Sequence, residues 1–170
     1  MNIQRLTSEE TIQVLPKLAV LLQDAVTNGA SIGFLTPFTY EAAVAYWQEV
    51  VTALQSPYRI LLVAQIDEDI VGTVQLDLER RPNRSHRAEV AKLMVHTSKR
   101  GQGIAQALMY AIEHEAQLAG RTTLILDTRL GDPSERLYTK LGYTKIGTIH
   151  HASSIVGSSH TTVFMYKVLK

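Results

Sequence analysis

A chain of 170 residues, 45% apolar and 19% charged, is long enough for one domain with a sizeable core and has an ordinary soluble composition. With 17 Lys and Arg against 16 Asp and Glu its formal charge is +1, which argues against general binding to nucleic acid or to a membrane surface. It has no cysteine, which excludes disulfides, thiolate nucleophiles and Cys-based zinc sites, and no apolar run reaches the ~18 residues of a bilayer span. A soluble, cytoplasmic protein with no signal-like amino terminus is the expectation.

Asn2 to Leu6 reads as a short edge strand. Thr7 and Glu10 have capping-box spacing, and Ile12, Leu15, Leu18, Leu21, Leu22 and Val26 recur at helical spacing up to Asn28-Gly29. Pro16 inside that pattern predicts a kink or a fresh helix start. After the apolar but punctuated stretch Ser31 to Pro37, a second helix runs from Thr39 or Tyr40 to Leu54 with Ala43, Trp47, Val50, Val51 and Leu54 on one side. The aromatic residues Phe34, Phe38 and Trp47 of this helix–loop–helix unit would wall a pocket; each also suits an ordinary core position.

Arg59 to Gln65 and Ile70 to Leu78 form a hairpin about the polar turn Ile66-Asp67-Glu68-Asp69, and the polar run Glu79 to His86 is a loop. Glu89 to Val95 reads as a buried central strand, His96 to Lys99 as a turn, and Gly103 to Ala119 as a helix with Ile104, Leu108, Ile112 and Ala116 on one side. A strand at Thr122 to Thr128 follows. Asp132, Pro133 and Glu135 then supply an N-cap, an N1 proline and an N3 acid to a short helix ending at Leu141-Gly142. Tyr143 to Ile149 and Thr161 to Leu169 are the last strands, joined by a Ser/Gly/His-rich loop from His151 to His160. The order β-α-α-β-β-β-α-β-α-β-β fits an α/β sandwich around a mixed sheet, one domain over residues 1–170.

The strand, Gly-rich turn and helix from Glu89 to Ala119 form an anion site. Amides from Gly101 through Gln102, Gly103 and Ile104 to Ala105 would lack carbonyl partners at a helix N-terminus, where the dipole adds partial positive charge. Gly101 permits dihedrals that a side chain resists, and Gly103 would let phosphate oxygens approach the backbone. Lys99 and Arg100 stand beside the turn, although a simple strand-to-helix loop with a basic rim has the same residues. A dinucleotide fingerprint needs glycine where Gln106 stands, and no Gly-Lys-Ser/Thr follows for a phosphate-binding Walker loop.

The segment Arg100 to Ala105 resembles the acetyl-coenzyme A signature of the GNAT superfamily of N-acetyltransferases, Q/R-x-x-G-x-G/A, through Arg100, Gly103 and Ala105. Leu137-Tyr138-Thr139-Lys140-Leu141-Gly142-Tyr143 is similar to a second family segment, L-Y-x-x-x-G-F/Y. The resemblance implies a GNAT-like three-layer sandwich around a mixed, splayed sheet, with acetyl-CoA held at its diphosphate by residues 100–105. It further implies that backbone at Leu93, Met94 and Val95 pairs with the pantetheine arm and polarises the thioester carbonyl, and that Tyr138 protonates the leaving sulfur. The family often has Asn and Ala where this chain has Gly131 and Ser134; Asp132 is expected to take over the capping.

Transfer to an amine needs a proton acceptor. Glu89 and Asp127 lie in strands where solvated acids are not expected, and Asp77 is a third candidate; each also suits a strand-edge carboxylate. Asn28 to Leu35, Trp47 and Leu126 to Asp132 look like the GNAT subgroup that contains the tabtoxin-resistance acetyltransferase. That likeness would set Glu89 and Asp127 on the amine of a small, amino-acid-like acceptor and suggests an antibiotic-resistance-like activity. Among Arg80, Arg81, Arg84, Arg87 and Arg129, the last is best placed to hold an acceptor carboxylate. The histidines match no metal pattern, so no metal is expected. The expected partner is a small-molecule amine, with no nucleic acid or membrane, and the protein a monomer or homodimer. A protein or peptide acetyltransferase and a silent acetyl-CoA-binding module are the alternatives.

Overall fold

A computed structural model describes residues 1–152 and 159–170. Most of the expected loop from His151 to His160 therefore lies outside the described residues. The element order is the expected one throughout. Strand β1 (Asn2–Arg5) is followed by α1 (Ser8–Thr27) and α2 (Tyr40–Ala53), then by β2 (Arg59–Ile66), β3 (Asp69–Leu78) and β4 (Arg87–Val95). Helix α3 (Ile104–Leu118), β5 (Thr123–Arg129), α4 (Pro133–Lys140), β6 (Thr144–Ala152) and β7 (Ser159–Val168) complete the chain.

Helix α1 opens on a complete capping box: Glu10 N–H donates to Thr7 Oγ1 at 3.2 Å, and Thr7 N–H donates to Glu10 Oε2 at 2.8 Å. It runs unbroken through Pro16, so the fresh start that the proline suggested does not occur. Pro16 stands on the exposed side, where the carbonyl that loses its donor can turn to water. The same phase leaves Ile12 56% exposed and gives its expected core place to Thr11. Thr39 caps α2 by accepting from Ala42 N–H at 3.1 Å.

The seven strands form one sheet in the order β1-β2-β3-β4-β5-β7-β6, antiparallel at every joint except β4–β5. A parallel joint requires a crossover, which α3 supplies. Ile104, Leu108, Met109 and Ile112 of α3 are fully buried against Leu62, Val74, Leu76, Leu124 and Leu126, each such side chain contributing roughly 2 kcal/mol. Tyr138 and Leu141 of α4 join that core. On the opposite face α1 and α2 pack Leu18, Leu22, Ala43, Trp47 and Val50 over Leu61, Val63, Ile70 and Met94. The result is a three-layer α/β sandwich.

The parallel joint is short. Only Arg87, Ala88 and Glu89 of β4 pair with β5, opposite Thr123, Leu124 and Ile125. Beyond that point β4 continues to Val95 beside β3, and β5 continues to Arg129 beside β7. The sheet therefore forks.

Candidate active site

The end of β4 leads into the Gly-rich turn. A 3-10 turn at Thr97–Lys99 is capped by the His96 ring, which accepts from Ser98 N–H. Its start is pinned to α1, because the Asp24 carboxylate accepts from Thr97 N–H at 2.9 Å and from Thr97 Oγ1 at 2.7 Å. Gly101 and Gly103 are both left-handed, φ 77° and 80°, and Gly103 is the N-cap of α3. A Cβ at either glycine would meet nothing within 4 Å, so the turn is open above its backbone. Among the described residues no acceptor is recorded for the amides of residues 101–106, and the first bond of α3 is Ala107 N–H to Gly103 O. An exposed turn ending at the N-terminus of a 15-residue helix is a cradle for a phosphate or diphosphate. Arg100 donates from Nε to Val95 O at 3.3 Å and is otherwise exposed beside the turn. The residues present thus fit the diphosphate of a coenzyme.

Tyr138 enters the fork from α4. It is 6% exposed, its ring lies 5.8 Å from that of Tyr143, and no hydrogen bond engages its hydroxyl among the described residues. Burial, and after it the Asp127 carboxylate, push the phenol well above its ordinary pKa. It is therefore protonated at neutral pH and able to donate. Tyr143 is held in turn by the base of α3 and β7: Lys167 Nζ donates to Glu113 Oε2 at 2.7 Å and lies over the Tyr143 ring. Among the described residues the Tyr143 hydroxyl and Glu113 Oε1 are buried without a well-aligned bond, yet Glu113 adds to the burial that raises the Tyr143 pKa.

On the α1–α2 face the sheet carries a row of charges. Arg59, Asp77 and Glu89 are direct cross-strand neighbours on β2, β3 and β4. Arg59 clasps Asp77 with two bonds, Nε to Oδ1 at 2.6 Å and Nη2 to Oδ2 at 2.9 Å, and reaches Gln75 Oε1 at 3.2 Å. Gln75, 1% exposed, passes the contact on by donating to the Tyr46 hydroxyl at 2.9 Å, and burial lifts the Tyr46 pKa to about 12. Asp77 is thereby committed to Arg59. Glu89 and Asp127, the latter two residues past the β5 partner of Glu89, remain exposed. Despite its exposure Glu89 has an elevated pKa, first from partial desolvation by the surrounding side chains and then from Asp77 and Asp127. A carboxylate so shifted is a better proton acceptor than a free one.

The 30–38 stretch walls this row. Phe34 packs on Phe38 at 4.9 Å and edge-on to Tyr46 at 5.0 Å, and Tyr46 packs on Trp47 at 5.3 Å. Trp47 itself is 0% exposed, with its indole N–H on Leu18 O at 2.9 Å. That corrects its expected place in the pocket wall: it supports Tyr46 from the core, and Phe34 and Phe38 are the half-buried pair. Arg129 is on the Asp127 side of β5, half-buried, its Nε buried without a hydrogen-bond partner among the described residues. The capping expected of Asp132 is also corrected. Asp132 stands at the N-cap of α4 but makes no side-chain bond there; Glu135 instead reaches back to accept from Gly131 N–H at 2.7 Å. Gly131 at φ 85° turns its amide toward that carboxylate.

Lys92, Tyr46, Gln75, Arg59 and Asp24 were not among the residues singled out from the sequence. The signal for Lys92 was a single charge inside the otherwise apolar run from Val90 to Val95. It sits at a bulge, φ 53°, where two residues of β4 face one of β3. Its Nζ donates to Ile32 O at 2.6 Å and lies 5.1 Å above the Phe34 ring. Burial lowers its pKa, and Asp127 leads the carboxylates that pull it back. Two surface concavities, of about 630 and 540 Å³, lie elsewhere, beside Arg5 and Leu54 and beside Glu113 and Lys167. Among the described residues no cluster suits a metal, and no helix is long and apolar enough to cross a membrane.

A forked mixed sheet, an open amide turn at the head of the crossover helix, and a buried tyrosine within the electrostatic reach of Asp127 suit an acyl-transfer site. The sequence profile of the Acetyltransferase (GNAT) family matches residues 22–143. The chain is 35% identical over 108 residues to an uncharacterized N-acetyltransferase in the hisH-hisA intergenic region of Azospirillum brasilense, covering 62% of each chain. It is 35% identical over 89 residues to the L-amino acid N-acetyltransferase AaaT of Escherichia coli (strain K12), covering 51% of this chain and 54% of the relative. The matches thus span less than two thirds of these curated relatives. A ribosomal-protein-alanine N-acetyltransferase from Brucella melitensis superposes with a TM-score of 0.80 at 25% identity, over 99% of this chain and 100% of its own. The chain belongs to the GNAT family of acetyltransferases, and acetyl-CoA is the family's acetyl donor.

Proposed function

We propose that the chain transfers acetyl from acetyl-CoA directly to the primary amine of a small, amino-acid-like acceptor. The observation that carries this reading is the fork: β4 bears Glu89 and leads to the Gly101 to Ala105 amides, and β5 bears Asp127, whose charge acts on the buried phenol of Tyr138. When bound, the coenzyme supplies an acetyl thioester. Amides of residues 101–105 with Arg100 would hold its diphosphate, and β4 backbone from Leu93 to Val95, unpaired toward β5, would hold its arm and the thioester oxygen. Glu89 or Asp127 takes the amine proton, directly or through water, and Tyr138 gives its proton to the departing sulfur. A chain without cysteine has no thiol to carry the acetyl group in between.

Arg129 is the cation for an acceptor carboxylate, and Phe34 and Phe38 are the apolar wall. The likeness to the tabtoxin-resistance subgroup and the relation to an L-amino acid acetyltransferase support this class. The structural likeness to a ribosomal-protein-alanine acetyltransferase favours a second reading, in which the acceptor is a peptide amino terminus. We read residues 1–170 as one catalytic domain. The test is release of free coenzyme A thiol from a panel of L-amino acids, polyamines, aminoglycosides and short peptides. Turnover of neutral amino acids, weakened at least tenfold in KM by Arg129→Met, is expected; turnover of peptides or polyamines alone overturns the small-acceptor reading.

A further inference from the structure

We propose that Lys92 is the positioning residue that fixes the acceptor side of the cleft, fastening the 30–38 stretch to the β4 bulge so that its rings stand over the open carboxylates. This rests on the acceptor reading for its consequence, but its contacts do not. The ammonium makes no ion pair within 4 Å among the described residues, although Asp127, Glu89 and Asp77 all act on its charge. Its single strong bond goes instead to a backbone carbonyl, Ile32 O, 60 residues away in the chain. It lies over the Phe34 ring at 5.1 Å and the Tyr46 ring at 5.9 Å, a cation against an edge-on ring pair. Gly33 leaves room for this arrangement: at φ 87° it is strained for any L side chain, and a Cβ there would meet Lys92 Nζ at 3.1 Å.

The backbone supports the same assignment. A lysine at φ 53° is uncommon, and the bulge turns the Lys92 side chain out of the strand's alternation and toward the loop. On the sheet the rings are anchored through Tyr46, Gln75 and Arg59, so the loop is held at two points, one of them charged. With Arg59 spent on Asp77 and Lys92 on Ile32, the carboxylates left for an acceptor are Glu89 and Asp127, both of which act on the ammonium that carries the rings. We infer that rings and open carboxylates on one face suit a primary amine on a slender apolar stem. The cleft admits a bulky or peptide-borne amine only if the loop lifts.

Lys92→Met keeps an unbranched stem and removes the ammonium, and with it both the charge and the hydrogen bond to Ile32 O. Hydrogen exchange, measured with acetyl-CoA and without any acceptor, should then speed at least tenfold for amides 31–36, while residues 93–105 keep wild-type protection. Phe34→Leu, which loosens the contact from the other side, should give the same pattern should Lys92→Met fold poorly. Unchanged exchange in residues 31–36 in both variants overturns the proposal, and so does loss of protection spread evenly over the chain. In turnover of a neutral L-amino acid such as L-methionine, Lys92→Met should raise the acceptor KM at least tenfold and leave the acetyl-CoA KM within twofold. Equal rises in both overturn the specificity role. If the wild type turns over no amine of the panel, the function proposed above fails, and the exchange comparison still decides whether Lys92 fastens the loop.

Discussion

The diphosphate cradle is best tested at Gly103, where the backbone and the ligand make separable demands. In the free protein a Cβ there meets nothing within 4 Å, so Gly103→Ala costs only the left-handed strain, about 1–2 kcal/mol. For a domain of this size that lowers the melting temperature by roughly 2–8 °C. The ligand-bound state differs, because the added methyl projects into the open space above the amides of residues 101–105. Wild type at about 100 times its Kd for acetyl-CoA should gain about 2.7 kcal/mol, or roughly 5–11 °C. A hundredfold loss of affinity in the variant would leave about 0.4 kcal/mol, a shift of roughly 1–2 °C. Differential scanning calorimetry with and without acetyl-CoA separates the two effects. A variant that melts earlier alone yet keeps the full coenzyme shift refutes the cradle, as does an equal shift with ATP or NAD in wild type.

Tyr138→Phe should cut kcat by about a hundredfold with little change in coenzyme affinity, as expected for loss of a general acid; an equal loss in coenzyme binding would make the tyrosine a packing residue. Glu89 has a raised pKa in the folded state, so its ionisation works against folding: the associated stability is present below the ordinary glutamate pKa and lost as pH rises through the elevated one. Glu89→Gln should therefore melt higher than wild type at pH 7, with the difference vanishing in acid. If Glu89 is the base, the low-pH limb of the rate profile should disappear in the same variant. Lys167→Met strands the buried Glu113 carboxylate and should destabilise by about 3 kcal/mol by urea titration, whereas the Lys167→Met/Glu113→Gln pair should recover most of it.

Much of the fold was legible because local rules agreed with one another. Thr7 with Glu10 marked a helix start that the structure realises bond for bond, and the Asp67-Glu68 turn between two apolar runs could only be a hairpin. Gly101 announced dihedrals that a side chain resists, and it has them; Gly103, read for close approach of a phosphate, is left-handed as well. What escaped were properties of register. That Asp77 stands opposite Glu89, and Arg59 opposite Asp77, follows from strand pairing across loops whose length the sequence shows but whose offset it does not. Asp77 is a neutralised partner for that reason. Trp47 stayed open between pocket wall and core because an indole suits both, and its full burial with a bond to the carbonyl of Leu18 decides for the core. Lys92 was missed because a bulge reverses which side of a strand a residue serves, and bulges leave no compositional mark.

The brevity of the parallel joint has a consequence for how the molecule bears load. Strands β1 to β4 and strands β5 to β7 are two half-sheets, stitched by three residue pairs and otherwise spanned by a single helix crossing behind them. A ligand with amides along the free edge of β4 would bond to strand groups that β5 does not reach, and would then be a structural member of the protein. Loading the donor would then stiffen the whole sheet, and discharging it would return a crease that runs between the half bearing Glu89 and the half bearing Tyr138.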